Sequence, residues 1–117
     1  MYLIYQYLIL AIASLFHLIF TLRETKTMPP PGKLLDLGSH KVHVWVQGEG
    51  ETTVVLDRSL GGVEGYFLID ELAKLTKVCI YDRAGYGWSE PSLKPRCSKE
   101  IVAELDLLLT RAGIEPP

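Results

Sequence analysis

Tyr81-Asp82-Arg83-Ala84-Gly85-Tyr86-Gly87-Trp88-Ser89-Glu90-Pro91 is the stretch on which the reading of this 117-residue sequence turns. It follows Lys77-Val78-Cys79-Ile80-Tyr81, a short apolar run that reads as a buried strand. Two glycines with one residue between them, an Asp-Arg pair before them and a proline after them describe a tight loop leaving the strand's C-terminal end. Asp82 is expected to accept backbone N–H groups within that turn. Arg83 is expected to pin the loop by bonding carbonyls or an acid. Gly85 and Gly87 permit the path, and Trp88 offers an apolar plug. The residue types make this a structural loop, and direct catalysis by Asp82 or Arg83 is not expected.

Working outward, Lys33–Leu37 and Lys41–Gln47 read as two strands joined by Gly38-Ser39-His40, an antiparallel hairpin. The second strand alternates, with Val42, Val44 and Val46 on one face and His43, Trp45 and Gln47 on the other. After the turn Gly48–Glu51, Thr52–Asp57 is a β-branched apolar run expected to be buried on both faces. Arg58-Ser59-Leu60-Gly61-Gly62 is a Gly-containing loop. Tyr66–Thr76 carries apolar residues at 68, 69, 72, 73 and 75, a helical face. Beyond the motif loop, Ser98 is a candidate N-cap for a helix with an apolar stripe of Ile101, Val102, Leu105, Leu108, Leu109 and Ala112. Gly113 ends it, with Ile114 folding back in a Schellman contact. The order is hairpin, strand, helix, strand, helix. The strand–helix–strand unit implies parallel pairing; the fold class is α/β.

Taken with these elements, Asp82, Arg83, Gly85, Gly87 and Ser89 resemble the loop after the fourth strand of the α/β-hydrolase family, an Asp-x-Arg-Gly-x-Gly-x-Ser-x-x-Pro-like run. The Gly-rich turn after the third strand and the Ala112-Gly113-Ile114-Glu115 helix end before Pro116-Pro117 are similar too. The resemblance covers about residues 33–115 and implies an N-terminal part of a hydrolase sheet, antiparallel second strand included.

Members of that family mount a nucleophilic Ser on a Gly-x-Ser-x-Gly elbow after the fifth strand, with the acid and then the His further on. This sequence has no Gly-x-Ser-x-Gly, and no His follows His43. The order Ser, acid, His therefore cannot be met, and no catalytic residue is assigned. The resemblance does imply one surviving part, an oxyanion-hole backbone donor in the loop after the third strand: the amide of Leu60, with Gly61 beside it. Arg58-Ser59 stands where members often carry His-Gly or Ala-Gly; a plain surface turn is the alternative. Improvised Ser39–His40 or Ser59–His43 pairs are not expected to act, since neighbours on a turn bring no orienting third group.

The 12 basic and 14 acidic residues all lie after Leu22, a sharp step in composition. Residues 1–22 are uncharged and long enough to cross a hydrocarbon core of about 30 Å as a helix, with Tyr2, Tyr5 and Tyr7 in one interfacial belt. A cleaved signal peptide competes through Ala11-Ile12-Ala13. The missing basic n-region and the apolar residues after Ala13 favour an uncleaved anchor. Residues 23–32, with Met28-Pro29-Pro30-Pro31-Gly32, read as a stiff linker, and residues 33–117 as the hydrolase-like portion. Arg23 and Lys26 flank the C-terminal end of the span, so the positive-inside rule puts the globular part in the cytoplasm.

A net charge of −2 gives no nucleic-acid footprint. Cys79 and Cys97 match no metal or disulfide pattern, His40 and His43 face opposite ways in the hairpin, and no metal or cofactor is implied. Two functions follow. The first is the N-terminal fragment of a membrane-anchored ester- or amide-type hydrolase, inactive alone. The second is a stand-alone, non-catalytic, membrane-anchored binding or scaffold module. In the family's strand order Thr52–Asp57 lies at a bare edge here. The expected partners are therefore the membrane and either a separately encoded C-terminal half or a second copy meeting that edge.

Overall fold

The computed structural model describes residues 1–57 and 64–116. Helix α1 spans Tyr2–Thr27, and none of its side chains is buried against the rest of the chain. It runs five residues past the 22-residue span read from hydropathy. Residues 23–27 are compatible with helix, and the hydroxyls of Thr21, Thr25 and Thr27 bond to carbonyls four residues back. The non-helical link is thus confined to residues 28–32.

Four strands form one sheet: β1 (Lys33–Asp36), β2 (Lys41–Gln47), β3 (Thr53–Leu56) and β4 (Lys77–Tyr81), in the spatial order β1-β2-β4-β3. β2 is antiparallel to both β1 and β4, with Leu35 opposite Val42 and Val46 opposite Cys79. β3 and β4 are parallel, Val55 beside Cys79, as the intervening helix α2 (Glu64–Leu72) requires. Among the described residues β3 has no neighbour on its other side. The expected hairpin and parallel unit are present, with β3 shorter than Thr52–Asp57.

Alternation along the strands divides the core in two. On one face Val42, Val44, Cys79 and Tyr81 pack with Leu108 and Ile114 of helix α3 (Ser98–Arg111) and the turn after it. On the other, Val78 and Ile80 pack with Ile69 of α2, flanked by Trp45, Leu56 and Tyr66. The helix faces depart from the sequence reading at three places. Val102 is 64% exposed, because the buried stripe of α3 runs through Glu104 instead. α2 ends at Leu72, leaving Leu75 exposed in the following turn, and Leu68 points outward beside Phe67. Ser98 is the first helical residue and not the cap; Cys97 holds the N-cap position, with no side-chain hydrogen bond. The other end is as expected. Gly113 has φ 73°, and its N–H and that of Ile114 donate to Thr110 and Leu109, the paired bonds of a Schellman turn.

Candidate functional site

The motif loop folds back onto β2 and is fastened through Asp82, which is fully buried. Its carboxylate accepts the Trp88 N–H (3.1 Å), the Tyr66 hydroxyl (3.1 Å) and the Nδ1–H of His43 (3.0 Å). The Gly32 N–H donates to Nε2 of His43 (3.0 Å), which fixes the neutral tautomer with its proton on Nδ1. Ser89 bridges the same layer: its hydroxyl donates to the Asp82 carbonyl (2.6 Å) and accepts the His43 N–H (2.8 Å). Trp88 lies tilted against the His43 ring, meets Tyr66 edge to face and donates its indole N–H to the Met28 carbonyl. The expected backbone acceptor at Asp82 and plug at Trp88 are present. The linker contacts made by Gly32 and Met28 carry no sequence signal, because they join segments separated by 11 and 60 residues.

Arg83 pins the loop by the second of its two expected routes, an acid. Its Nε and Nη2 form a fork on Asp57 at the end of β3 (2.9 and 2.6 Å), and the Tyr81 hydroxyl donates to the same carboxylate (2.9 Å). The Arg83 guanidinium holds the Asp57 carboxyl below its ordinary range, and the carboxylate raises Arg83 in turn. Burial, reinforced by the neighbouring carboxylate, pushes the Tyr81 phenol up to about 12, so it stays a donor at neutral pH. This cluster stands where the chain leaves β3 toward residues 58–63. The oxyanion-donor candidates Leu60 and Gly61, with Arg58 and Ser59, lie outside the described residues.

At the hairpin turn the structure corrects one expectation. A third group does reach His40. The Ser39 hydroxyl donates to Nδ1 (2.8 Å), and Nε2–H donates to Glu104 of α3 (3.0 Å). Glu104 is also forked by Arg96 (3.0 and 3.2 Å) and accepts the Ala84 N–H (3.4 Å). Burial alone would raise its carboxyl, but the Arg96 charge and hydrogen bonds outweigh that and hold it low. A cleft of about 200 Å³ lies over Ser39, His40, Arg96 and Glu104. With its carboxylate committed to Arg96, the cluster works as a clamp joining hairpin, motif loop and α3. His40 and His43 bond to different partners, as the alternation requires. Burial pushes the Cys79 thiol up to about 11, leaving it an inert core residue. Among the described residues no group of three or more His, Cys, Asp or Glu side chains is arranged to hold a metal ion.

The solved structures that resemble this chain share that architecture. The enol-lactonase from Burkholderia xenovorans LB400 matches with a TM-score of 0.62 and 23% identity, over 70% of this chain and 34% of its own. An α/β-hydrolase fold protein from Chitinophaga pinensis matches with a TM-score of 0.62 and 17% identity, over 73% of this chain and 32% of its own. The chain thus carries part of an α/β-hydrolase fold. Among curated proteins, YbdG of Bacillus subtilis is 28% identical over 99 residues, 81% of this chain. RutD of Azorhizobium caulinodans, which carries a carbamate-hydrolase name, is 31% identical over 80 residues, 67% of this chain. The chain spans about 30% of the length of each of these two relatives. No protein-family model matches it.

Proposed function

We propose that this chain is the N-terminal portion of a membrane-anchored α/β-hydrolase of the ester- or amide-cleaving kind, without activity by itself. One observation carries the reading. The hydrolase-fold structures align over about 70% of this chain but only about a third of their own, while the sequence holds neither a nucleophile elbow nor a His after His43. What the chain contributes is scaffold: the strand end at Asp57, the Arg83 fork, and the loop whose backbone would complete an oxyanion hole. The carbamate-hydrolase name of RutD fits the amide side of that substrate class. The anchor is α1, 26 residues long and apolar enough to cross a bilayer. Arg23 and Lys26 at its C-terminal end favour a cytoplasmic globular part.

The coding DNA beyond the Pro117 codon tests the reading. A Gly-x-Ser-x-Gly elbow, in frame or in a shifted frame soon after that codon, is the expected finding. A long stretch with no such coding removes the proposal.

A further inference from the structure

The α3 face of the sheet is incompletely covered at the end where the linker enters. Alternation puts Lys33 and Leu35 of β1, Val44 and Val46 of β2 and Lys77 of β4 on that one face, as the registers of Lys33 with Val44 and Val46 with Cys79 require. Helix α3 stops at Arg111, which with Ala112 walls one side of the opening. The remaining cleft, of about 490 Å³, has an apolar floor of Leu35, Val44, Val46 and Ala112 and takes Lys33, Lys77 and Arg111 as its charged lining. Among the described residues no carboxylate lines it. Arg111 also donates to the Asp36 carbonyl, a neutral acceptor that leaves its charge uncompensated. Acids close in sequence do not line it: Asp36 accepts the Gly38 N–H, Glu49 and Glu51 stand exposed in the β2–β3 turn, and Glu115 is exposed beyond the end of α3.

Position decides the occupant. Pro31 and Gly32 form part of the cleft wall, and Gly32 follows the end of α1 at Thr27 by five residues. Fully extended, five residues reach roughly 18 Å. If α1 spans the bilayer, the cleft faces the leaflet surface that the helix leaves, with three cations and an apolar floor between them. Arg23 and Lys26 add positive charge at the helix end. Anionic headgroups concentrate on the cytoplasmic leaflet, and basic residues held at that surface attract them.

We infer that the cleft between β1, β2 and the end of α3 docks the anionic phospholipid headgroups of the leaflet in which α1 is anchored, through Lys33, Lys77 and Arg111. The inference rests on the anchor part of the proposed function and deepens it: the globular part lies against the membrane in one orientation, and the opposite sheet end, with Asp57 and Arg83, faces away.

The experiment uses the full chain in nanodiscs of phosphatidylcholine alone or with phosphatidylserine at about a third of the lipid. Lysine acetylation is followed residue by residue by mass spectrometry. Lys33 and Lys77 are expected to react several-fold more slowly in the phosphatidylserine discs, while Lys41 and Lys99, at the opposite end, keep their rates. Lys77→Glu is expected to restore the Lys33 rate, with circular dichroism reporting the fold. Equal Lys33 and Lys77 rates in the two discs overturn the inference. So does slowing of all four lysines alike. Protection of Lys33 by soluble glycerophosphoserine in neutral discs would replace the leaflet with a free ligand and also overturn it. A chain that does not co-elute with the discs removes the anchor and this inference together, whereas the hydrolase reading stands or falls on the downstream coding test.

Discussion

Gly87 carries the tightest constraint in the motif loop. Its φ of 51° lies in the left-handed region, and a Cβ built on it would overlap the Asp82 carboxylate. Gly85 shares the positive φ, but its nearest neighbour there is the Pro91 Cα at 4.0 Å. The two separate conformational strain from collision. Gly85→Ala is expected to lose about 1–2 kcal/mol and Gly87→Ala about 2–4 kcal/mol, since the latter also dislodges a buried carboxylate. Equal losses in urea denaturation would mean that Asp82 yields without cost. Glu104 and Asp57 make the acid limb of stability. Both have folded pKa values below their ordinary ones, so their contribution is complete above the unfolded pKa near 4–4.5 and is lost as pH falls through the folded values. Glu104→Gln should therefore be less stable than the parent at pH 7, by an amount on the order of 2 kcal/mol, and the gap should narrow toward pH 3; a gap that stays constant with pH would refute the carboxylate's role. The sequence made the roles of Asp82 and Arg83 legible because turn chemistry is local. Their partners were not legible: His43 and Asp57 lie 39 and 26 residues away and meet them only through strand pairing.

At the level of elements, β3 is the exposed weakness. Among the described residues it pairs with β4 alone, its four residues are all half-buried, and it carries neither a lysine nor a proline to guard the edge. Phe67 and Leu68 of α2 add exposed apolar surface on the neighbouring helix. Val55→Lys is expected to raise the monomeric fraction of residues 33–117 in analytical ultracentrifugation, while weakening Val55's packing on the α3-side core by about 1 kcal/mol. If the unmodified fragment runs as a sharp monomer and the Val54–Leu56 amides all exchange slowly, that edge is already paired and the bare-strand picture is wrong. The strands were readable because a period of two survives in short segments. Helix faces were less so. Val102 and Leu75 satisfy a helical pattern, yet Glu104 took the inward position through Arg96 and His40, and α2 stopped before Leu75. Burial of an ion cluster and the end of a nine-residue helix are tertiary outcomes that hydropathy does not encode.

For the whole molecule, the order of elements made the fold legible, because an antiparallel hairpin followed by strand–helix–strand leaves few topologies. The site was legible only in part: the Ser39–His40–Glu104 chain emerged from contacts 64 residues apart. That chain sharpens the question of activity. A serine nucleophile needs a base free to take its proton, an acid free to follow the imidazolium, and donors facing the new oxyanion. His40 meets the first need, but the Glu104 carboxylate is already forked by Arg96, and the Ser39 bond to its own neighbour fixes the hydroxyl along a tight turn. The full chain in detergent is therefore expected to hydrolyse p-nitrophenyl esters no faster than buffer, and a fluorophosphonate probe is expected to label no serine. Ser39 is the position to watch in the peptide map. Stoichiometric labelling there, abolished by Ser39→Ala and weakened by Glu104→Gln, would convert the clamp into a working triad and overturn the view that this part of the hydrolase fold is scaffold alone.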